Sequence, residues 1–287
     1  MIICIICIIG ILSLFFEMRH ELRTFQTTNY RIYSQKLKGL NKNKKIIFLS
    51  DLHNQKYDRD NQTLLKKIRD EKPDLILVGG DMLVGQVGYS VEPAFSFVSQ
   101  LPDIAPTYHG YGNHEQRLKE KPKVFKIDYE GYQKGLEQCG VVFLNNETVD
   151  IMLGDTPVYI TGLTIPLVNY QHFKTPKLSS QEIRKRIGKK EDGYHILLAH
   201  NPAYMKEYLN WGADLILSGH FHGGLIRIPG FRGLIIPGIG SYKKYSGGIY
   251  KEKDKRIIVS KGLGNHTFKI RLFNKAEIIS ISLLHKN

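Results

Sequence analysis

Negative charge and cysteine are both scarce in this sequence. Only 27 Asp and Glu stand against 41 Lys and Arg, a formal net charge of +14. That excess points to an anionic partner: nucleic acid, a phosphorylated substrate or a membrane surface. Three cysteines in 287 residues exclude a disulfide scaffold. Neither glycine (27) nor proline (11) is abundant enough for a collagen-like or low-complexity polymer. A hydrophobic content of 42% excludes a disordered chain and suffices for a sizeable core. No internal repeat is visible.

Charge is missing altogether from Met1 to Phe16, where only Gly10 and Ser13 interrupt the apolar run. Sixteen helical residues span roughly 24 Å, short for a bilayer core of ~30 Å. No basic segment precedes the run and no small-x-small cleavage site comes after it, so an uncleaved anchor is favoured over a signal peptide. Arg19 and Arg23 lie just beyond and can snorkel to the interface. They favour a cytoplasmic body, although so short a flank leaves sidedness open. Cys4 and Cys7 read as small apolar residues on one helix face, with reversible acylation as the alternative. Cys139 comes after a helical pattern and reads as a core residue.

Residues 17–45 form a basic tether carrying a first short strand at Thr28–Tyr33. From Ile46 to Asn287 one domain is expected. Strand-length apolar runs at Ile46–Ser50, Leu75–Gly79, Ile104–His109, Val141–Leu144, Val158–Gly162, Ile196–Ala199 and Leu215–Ser218 predict strands. Amphipathic stretches at Asn61–Glu71, Ala94–Leu101, Tyr129–Gln138, Ser180–Ile187 and Ala203–Leu209 predict helices between them. This alternation is the mark of an α/β fold. Residues 223–284 are β-like and argue for a second sheet.

The residues just after each apolar run carry the chemistry. The successive runs lead into Asp51-Leu52-His53, Gly79-Gly80-Asp81, Gly112-Asn113-His114, His200 and Gly219-His220-Phe221-His222. Ligands of α/β sheets bind at the carboxyl ends of strands. Each piece alone has a plainer reading: Asp51 or Asp81 as a helix cap, Asn113 as a turn residue, His109, His172 and His195 as hydrogen-bonded core or surface residues. Five consecutive strand ends carrying oxygen and imidazole donors, with no thiolate, outweigh those readings and predict a metal site.

This series resembles that of the calcineurin-like metallophosphoesterases. The later stretches His220-Phe221-His222-Gly223-Gly224, Arg227-Ile228-Pro229, Gly262-Leu263-Gly264, Ile270-Arg271-Leu272-Phe273 and Glu277 are similar to the membrane-associated bacterial branch of that superfamily. That branch includes cell-wall-associated phosphoesterases and UDP-diacylglucosamine pyrophosphatases. Glu115 departs from the Asp usual after Asn-His, and Asn54-Gln55 from the usual apolar residue and Gly. Both departures bear on substrate contacts rather than on metal ligands.

The resemblance implies a four-layer α/β/β/α sandwich of two mixed sheets, with a dinuclear metal site at the strand ends. It implies Asp51, His53, Asp81 and His222 as ligands of one ion and Asp81, Asn113, His200 and His220 as ligands of the second, Asp81 bridging. Two such ions lower the pKa of a shared water and clamp the phosphoryl oxygens. His114 would contact a phosphoryl oxygen or protonate the leaving group. Manganese, zinc or iron suits the mixed donors, and magnesium suits so many imidazoles less well. The expectation is a membrane-anchored, metal-dependent phosphoesterase of the bacterial cell membrane. Its substrate would be a phosphodiester or pyrophosphate, lipid- or envelope-linked. A nuclease or phosphomonoesterase with the same site is the alternative, although the anchor disfavours nucleic acid, and a non-enzymatic metal-binding scaffold ranks below these. The basic clusters Lys119–Lys126, Arg184–Lys190 and Lys251–Arg256 could face an acidic surface, but such runs are commonly just solvated.

Overall fold

A computed structural model describes all residues except 41, 172–175, 228–234, 237–239, 242–243, 266–268 and 287. His172, Ile228 and Pro229 thus lie outside the described residues.

The first half of the chain comprises α1 (Ile2–Glu21), β1 (Phe25–Ser34), β2 (Lys44–Leu49), α2 (Gln62–Asp70), β3 (Leu75–Val78), α3 (Glu92–Val98), β4 (Thr107–Gly110), α4 (Asn113–Glu120), α5 (Pro122–Phe125) and α6 (Tyr129–Gln138). The second half comprises β5 (Val141–Leu144), β6 (Glu147–Leu153), β7 (Thr156–Leu163), α7 (Ser180–Ile187), β8 (Tyr194–Ala199), α8 (Met205–Trp211), β9 (Leu215–Ser218), the two-residue pair β10 (Ile235–Ile236) and β11 (Gly240–Ser241), β12 (Gly248–Glu252), β13 (Lys255–Val259) and β14 (Ala276–His285).

Two six-stranded sheets result, β1-β14-β2-β3-β4-β5 and β12-β13-β9-β8-β7-β6. Both are mixed: β2 to β5 run parallel, as do β13, β9, β8 and β7, while β14 is antiparallel to β2 and β6 to β7. The uninterrupted apolar runs reflect burial on both faces. Ile46, Phe48, Leu75 and Leu77 meet Ile196, Leu198, Leu215 and Leu217 between the sheets. The alternate residues Ile47, Leu49, Ile76 and Val78 pack under α2, α3, α4 and α6. Leu197, Ile216 and Ile257 do the same under α7 and α8. Helix, sheet, sheet and helix form the expected four layers.

Four local expectations need correction. The first strand is ten residues long, Phe25–Ser34, and pairs in parallel with β14, so this part of the tether is an integral edge of the first sheet. The late β-rich stretch is divided among sheets, with only the two-residue strands β10 and β11 pairing by themselves. β12 and β13 extend the second sheet, whereas β14 inserts between β1 and β2 of the first. Pro93 at the start of α3 moves that helix to Glu92–Val98, ahead of the expected Ala94–Leu101. Cys139 is exposed, because it caps α6 beyond Leu136, the last buried residue of that helix.

His109 is buried on β4, stacked on Phe143 with ring centroids 4.6 Å apart. Its Nδ1 lies 2.8 Å from the Gly110 carbonyl. Burial pushes its pKa from 6.5 down to about 4. A depressed histidine keeps its full stabilising contribution above pH 6.5 and loses it as acid drives protonation toward pH 4, a loss of up to ~3 kcal/mol. Urea unfolding between pH 7 and 4 should therefore show a shallower acid limb for His109→Phe than for wild type.

Candidate metal centre

The carboxyl ends of β2, β3 and β4 from one sheet meet those of β8 and β9 from the other. Asp51 and His53 come after β2, Asp81 after β3, Asn113 and His114 open α4 after β4, His200 comes after β8, and His220 and His222 after β9. Asp51, His53 and His222 offer donor atoms within 4.8 Å of one another, and so do Asp81, His200 and His220. Six of the seven expected ligands converge in these two groups, and Asn113 opens α4 at the same sheet edge.

Left-handed backbone bends these loops inward. Asp51 (φ 55°), His53 (46°), Asp81 (57°), His220 (67°) and His222 (50°) all adopt it, although none is glycine. Each costs about 1 kcal/mol or more, which marks the site as a place where the fold accepts strain. Glycines provide the remaining clearance. A Cβ on Gly112 would stand 2.2 Å from Asp81 Oδ1, and one on Gly219 would stand 2.2 Å from Asp51 Oδ2.

Hydrogen bonds fix which atom of each side chain faces the centre. Asp81 Oδ1 accepts the His114 N–H at 2.8 Å. That leaves Oδ2 inward, 3.1 Å from His200 Nε2 and 3.8 Å from His53 Nε2. Asp51 accepts the His220 N–H at 3.0 Å on Oδ1 and the Ser50 hydroxyl at 2.5 Å on Oδ2. Asn113 Oδ1 is buried without a hydrogen-bond partner, an acceptor in need of positive charge. The His53 and His222 Nε2 atoms face each other at 3.1 Å.

The hydrogen-bond partners also assign the tautomers. His200 Nδ1 lies 2.8 Å from the Gly79 carbonyl and His222 Nδ1 lies 3.3 Å from that of Gly264. Each must donate there, so each turns an Nε2 lone pair to a carboxylate. Two lone pairs facing each other repel unless a cation or proton lies between them, so the donor chemistry fits divalent metal ions. His114 is wired the opposite way. Its Nδ1 accepts the Gly85 N–H at 2.7 Å, leaving the proton on Nε2 toward the cleft. Although His53, Asp81 and His114 also form a close group, His114 presents a hydrogen there rather than a lone pair.

The charges agree. Burial opposes ionisation of Asp81, but the His200, His114 and His53 imidazoles outweigh it and hold the carboxyl well below its ordinary range. Burial and the Asp81 charge raise Asp51 to about 6. Burial would keep His200 neutral, yet Asp81 and Asp51 drive its pKa up to about 10. The metal-free protein therefore carries a proton at His200 near neutral pH. Metal uptake must displace it, so apparent affinity should rise as pH rises toward 10. Calorimetric titration with manganese in buffers of different ionisation enthalpy should register proton release.

Glu115 is fully buried and accepts the N–H groups of Asp81 (2.8 Å), Met82 (2.8 Å) and Gly112 (3.1 Å). The departure at this position thus bears on the Asp81 loop, not on substrate contacts as expected. Burial and the Asp81 charge push its pKa to about 7. Asn54 and Gln55 do line the cleft beside His53 and His114, and Lys56 and Lys269 add positive charge to it. The late residues form the back wall. Arg271 Nη2 donates to Gly264 at 2.5 Å, and buried Glu277 pairs with Lys261 at 3.0 Å. Sequence reading missed Asn274, whose Nδ2 donates to the His222 carbonyl at 2.7 Å. It also missed Tyr170, edge-on to His220 at 5.1 Å. Neither lies in a spacing pattern that could have exposed it.

Residues 44–224 match the model of a family described as calcineurin-like phosphoesterase. Similar curated proteins include the uncharacterized metallophosphoesterase YkoQ of Bacillus subtilis, 30% identical over 236 residues that cover 81% of each chain. The uncharacterized metallophosphoesterase YkuE of Bacillus subtilis is 27% identical, over 93% of this chain and 88% of its own. The phosphodiesterase YaeI of Escherichia coli is 25% identical, over 84% of this chain and 82% of its own.

Proposed function

The chain belongs to the calcineurin-like phosphoesterase family and is a metal-dependent phosphoric ester hydrolase with a site for two divalent ions, and on that premise we propose which residues do the work and on what. Asp51, His53, Asp81 and His222 hold one ion, and Asp81, Asn113, His200 and His220 hold the other. The observation that carries this reading is the convergence of Asp51, His53, His222, Asp81, His200 and His220 on one edge, with Asp81 Oδ2 facing His53 and His200. When bound, such a pair offsets phosphoryl charge and activates a water.

The side chains supply orientation and hydrogen bonding. The Gly79 and Gly264 carbonyls hold His200 and His222 in the ligand tautomer. His114 Nε2–H points into the cleft and donates to a phosphoryl or leaving-group oxygen. Burial lowers its pKa, and the Gly85 N–H occupies the nitrogen that imidazolium would need as a donor. His114 therefore acts as a neutral hydrogen-bond donor rather than by proton transfer. Lys56 and Lys269 draw an anionic ester into the cleft.

α1 is 20 residues long with mean hydropathy 2.4 over its most apolar window, and no part of that window is buried. At ~1.5 Å per residue its uncharged stretch to Phe16 reaches roughly 24 Å, most of a bilayer core of ~30 Å, and its last turn meets the body at Glu21. This supports an N-terminal membrane anchor, a bacterial cell-membrane location and a body held near an acidic lipid surface, with a lipid- or envelope-linked phosphodiester or pyrophosphate as substrate. The test is hydrolysis of bis-p-nitrophenyl phosphate by detergent-solubilised protein with added manganese. Wild type should turn it over and His220→Ala should not. Equal rates in the two would sink the assignment.

A further inference from the structure

The last turn of α1 is fastened to the loops that carry the metal ligands. Glu21 is only 5% exposed, and its Oε2 accepts the Asn274 N–H at 2.9 Å. Asn274 Nδ2 then donates to the carbonyls of His222 (2.7 Å) and Gly224 (2.5 Å). Arg271 Nη1 donates to the Asn274 carbonyl at 2.9 Å, which ties the clamp to the back wall of the site. The end of α1 is thus placed relative to the cleft by buried hydrogen bonds rather than by a loose linker.

Arg19, Leu22 and Arg23 of this clamped segment line a hollow of about 380 Å³, closed by Gln55, Asn265 and Lys269. Gln55, Asn265 and Lys269 also line the metal cleft of about 360 Å³ that contains His53 and His114. The two hollows therefore share a wall. Asn265 Nδ2 donates to Gln55 Oε1 at 3.1 Å along it. Among the described residues, no acid lines either hollow, while Arg19, Arg23 and Lys269 place three cations around the outer one. Phe16, 66% exposed, lies three residues before Arg19 and begins the apolar face of α1, about one helical turn away. Metal cleft, cationic hollow and apolar helix therefore succeed one another in that order.

We propose that Arg19, Arg23 and Lys269 form a second anion subsite, which takes the phosphate lying between the scissile phosphoryl group and the apolar tail of a membrane-resident substrate. The substrate class is then an amphiphilic diphosphate. This rests on the two-metal reading of the neighbouring cleft.

The test uses the full chain in detergent micelles with excess manganese. Farnesyl diphosphate, inorganic diphosphate and farnesol compete against hydrolysis of bis-p-nitrophenyl phosphate. Isothermal titration of farnesol and of the methylene-bridged analogues of farnesyl diphosphate and inorganic diphosphate, whose P–C–P link cannot be hydrolysed, reads affinity without turnover. In wild type, farnesyl diphosphate should bind about tenfold more tightly than inorganic diphosphate, and farnesol should not compete. In Arg19→Ala/Arg23→Ala, and in Lys269→Ala to a smaller degree, farnesyl diphosphate should weaken about tenfold. The double variant should keep kcat and KM for the small diester. Lys185→Ala/Lys189→Ala removes the same charge from α7 and its exposed flank and should bind like wild type. Sequestration of manganese by diphosphate acts alike on all variants and cancels. Equal affinity of wild type and Arg19→Ala/Arg23→Ala, or an equal shift in the charge-matched control, overturns the subsite. A wild type that leaves the small diester intact overturns the reading of the metal cleft instead, and the titration still decides the subsite.

Discussion

Asp81→Asn should lower phosphoester turnover by at least ~10³-fold and reduce bound metal below two ions per chain. Oδ2 is the carboxylate atom that would serve the proposed ions, 3.1 Å from His200 Nε2 and 3.8 Å from His53 Nε2. Asparagine keeps the Oδ1 acceptor for the His114 N–H, so loop geometry survives while the negative charge is lost. If the amide nitrogen takes the Oδ2 position, it presents hydrogens to the same imidazoles. Loss of charge should also release His200, whose pKa of about 10 depends on Asp81 and Asp51. Turnover, metal content by mass spectrometry and the His200 titration by NMR check the three consequences separately. Retention of both metals with full turnover would remove Asp81 from the centre.

His114→Ala should cost ~10²–10³-fold in kcat, the usual penalty for removing one donor aimed at developing charge. The loss should be the same for good and poor leaving groups, because Nε2–H donates a hydrogen bond and transfers no proton. A general acid would instead show a loss that steepens as the leaving group becomes more basic. His114→Gln should recover part of the rate, since its amide can place an N–H in the same direction. A series of aryl phosphodiesters compared in the wild type and both variants distinguishes the two roles. A penalty that grows with leaving-group pKa would restore proton transfer by His114.

Acid sensitivity arises from different groups at different places. His109 loses its stabilising contribution between pH 6.5 and 4, inside β4 rather than in the ligand loops. Metal affinity falls with pH because a proton at His200 competes for its Nε2. A metal-saturated sample is the more stable at neutral pH, and it and a chelated one should thus converge as pH falls. The first loses both its ions and its His109 contribution, whereas the second loses only the latter. Bound metal would also offset the strain held in the left-handed residues Asp51, His53, Asp81, His220 and His222, so chelation should lower thermal stability.

How much was legible beforehand depends on distance along the chain. The runs at Val141–Leu144 and Leu215–Ser218 and the helices Tyr129–Gln138 and Ser180–Ile187 have the bounds expected from local pattern. There, apolar periodicity and caps such as Ser179 and Asp128 act within a few residues. The donor residues were visible for the same reason, since each directly succeeds an apolar run. Cys139 was misread because helical spacing tells which residues share a face, and the cap position lies beyond the last turn that obeys it.

The sequence by itself determined the strand ends, the donor types and the family, because oxygen and imidazole donors after five apolar runs are a local, repeated pattern. Only the tertiary structure decided that β14 and β1 complete the first sheet, and that Glu21, Asn274 and Arg271 reach the ligand loops. It also decided which nitrogen of His114, His200 and His222 is committed to a backbone partner. Those facts depend on contacts between residues up to 253 positions apart, as for Glu21 and Asn274. No local propensity encodes such pairings. They form when two twisted sheets bury their facing sides and bring their carboxyl ends to one edge.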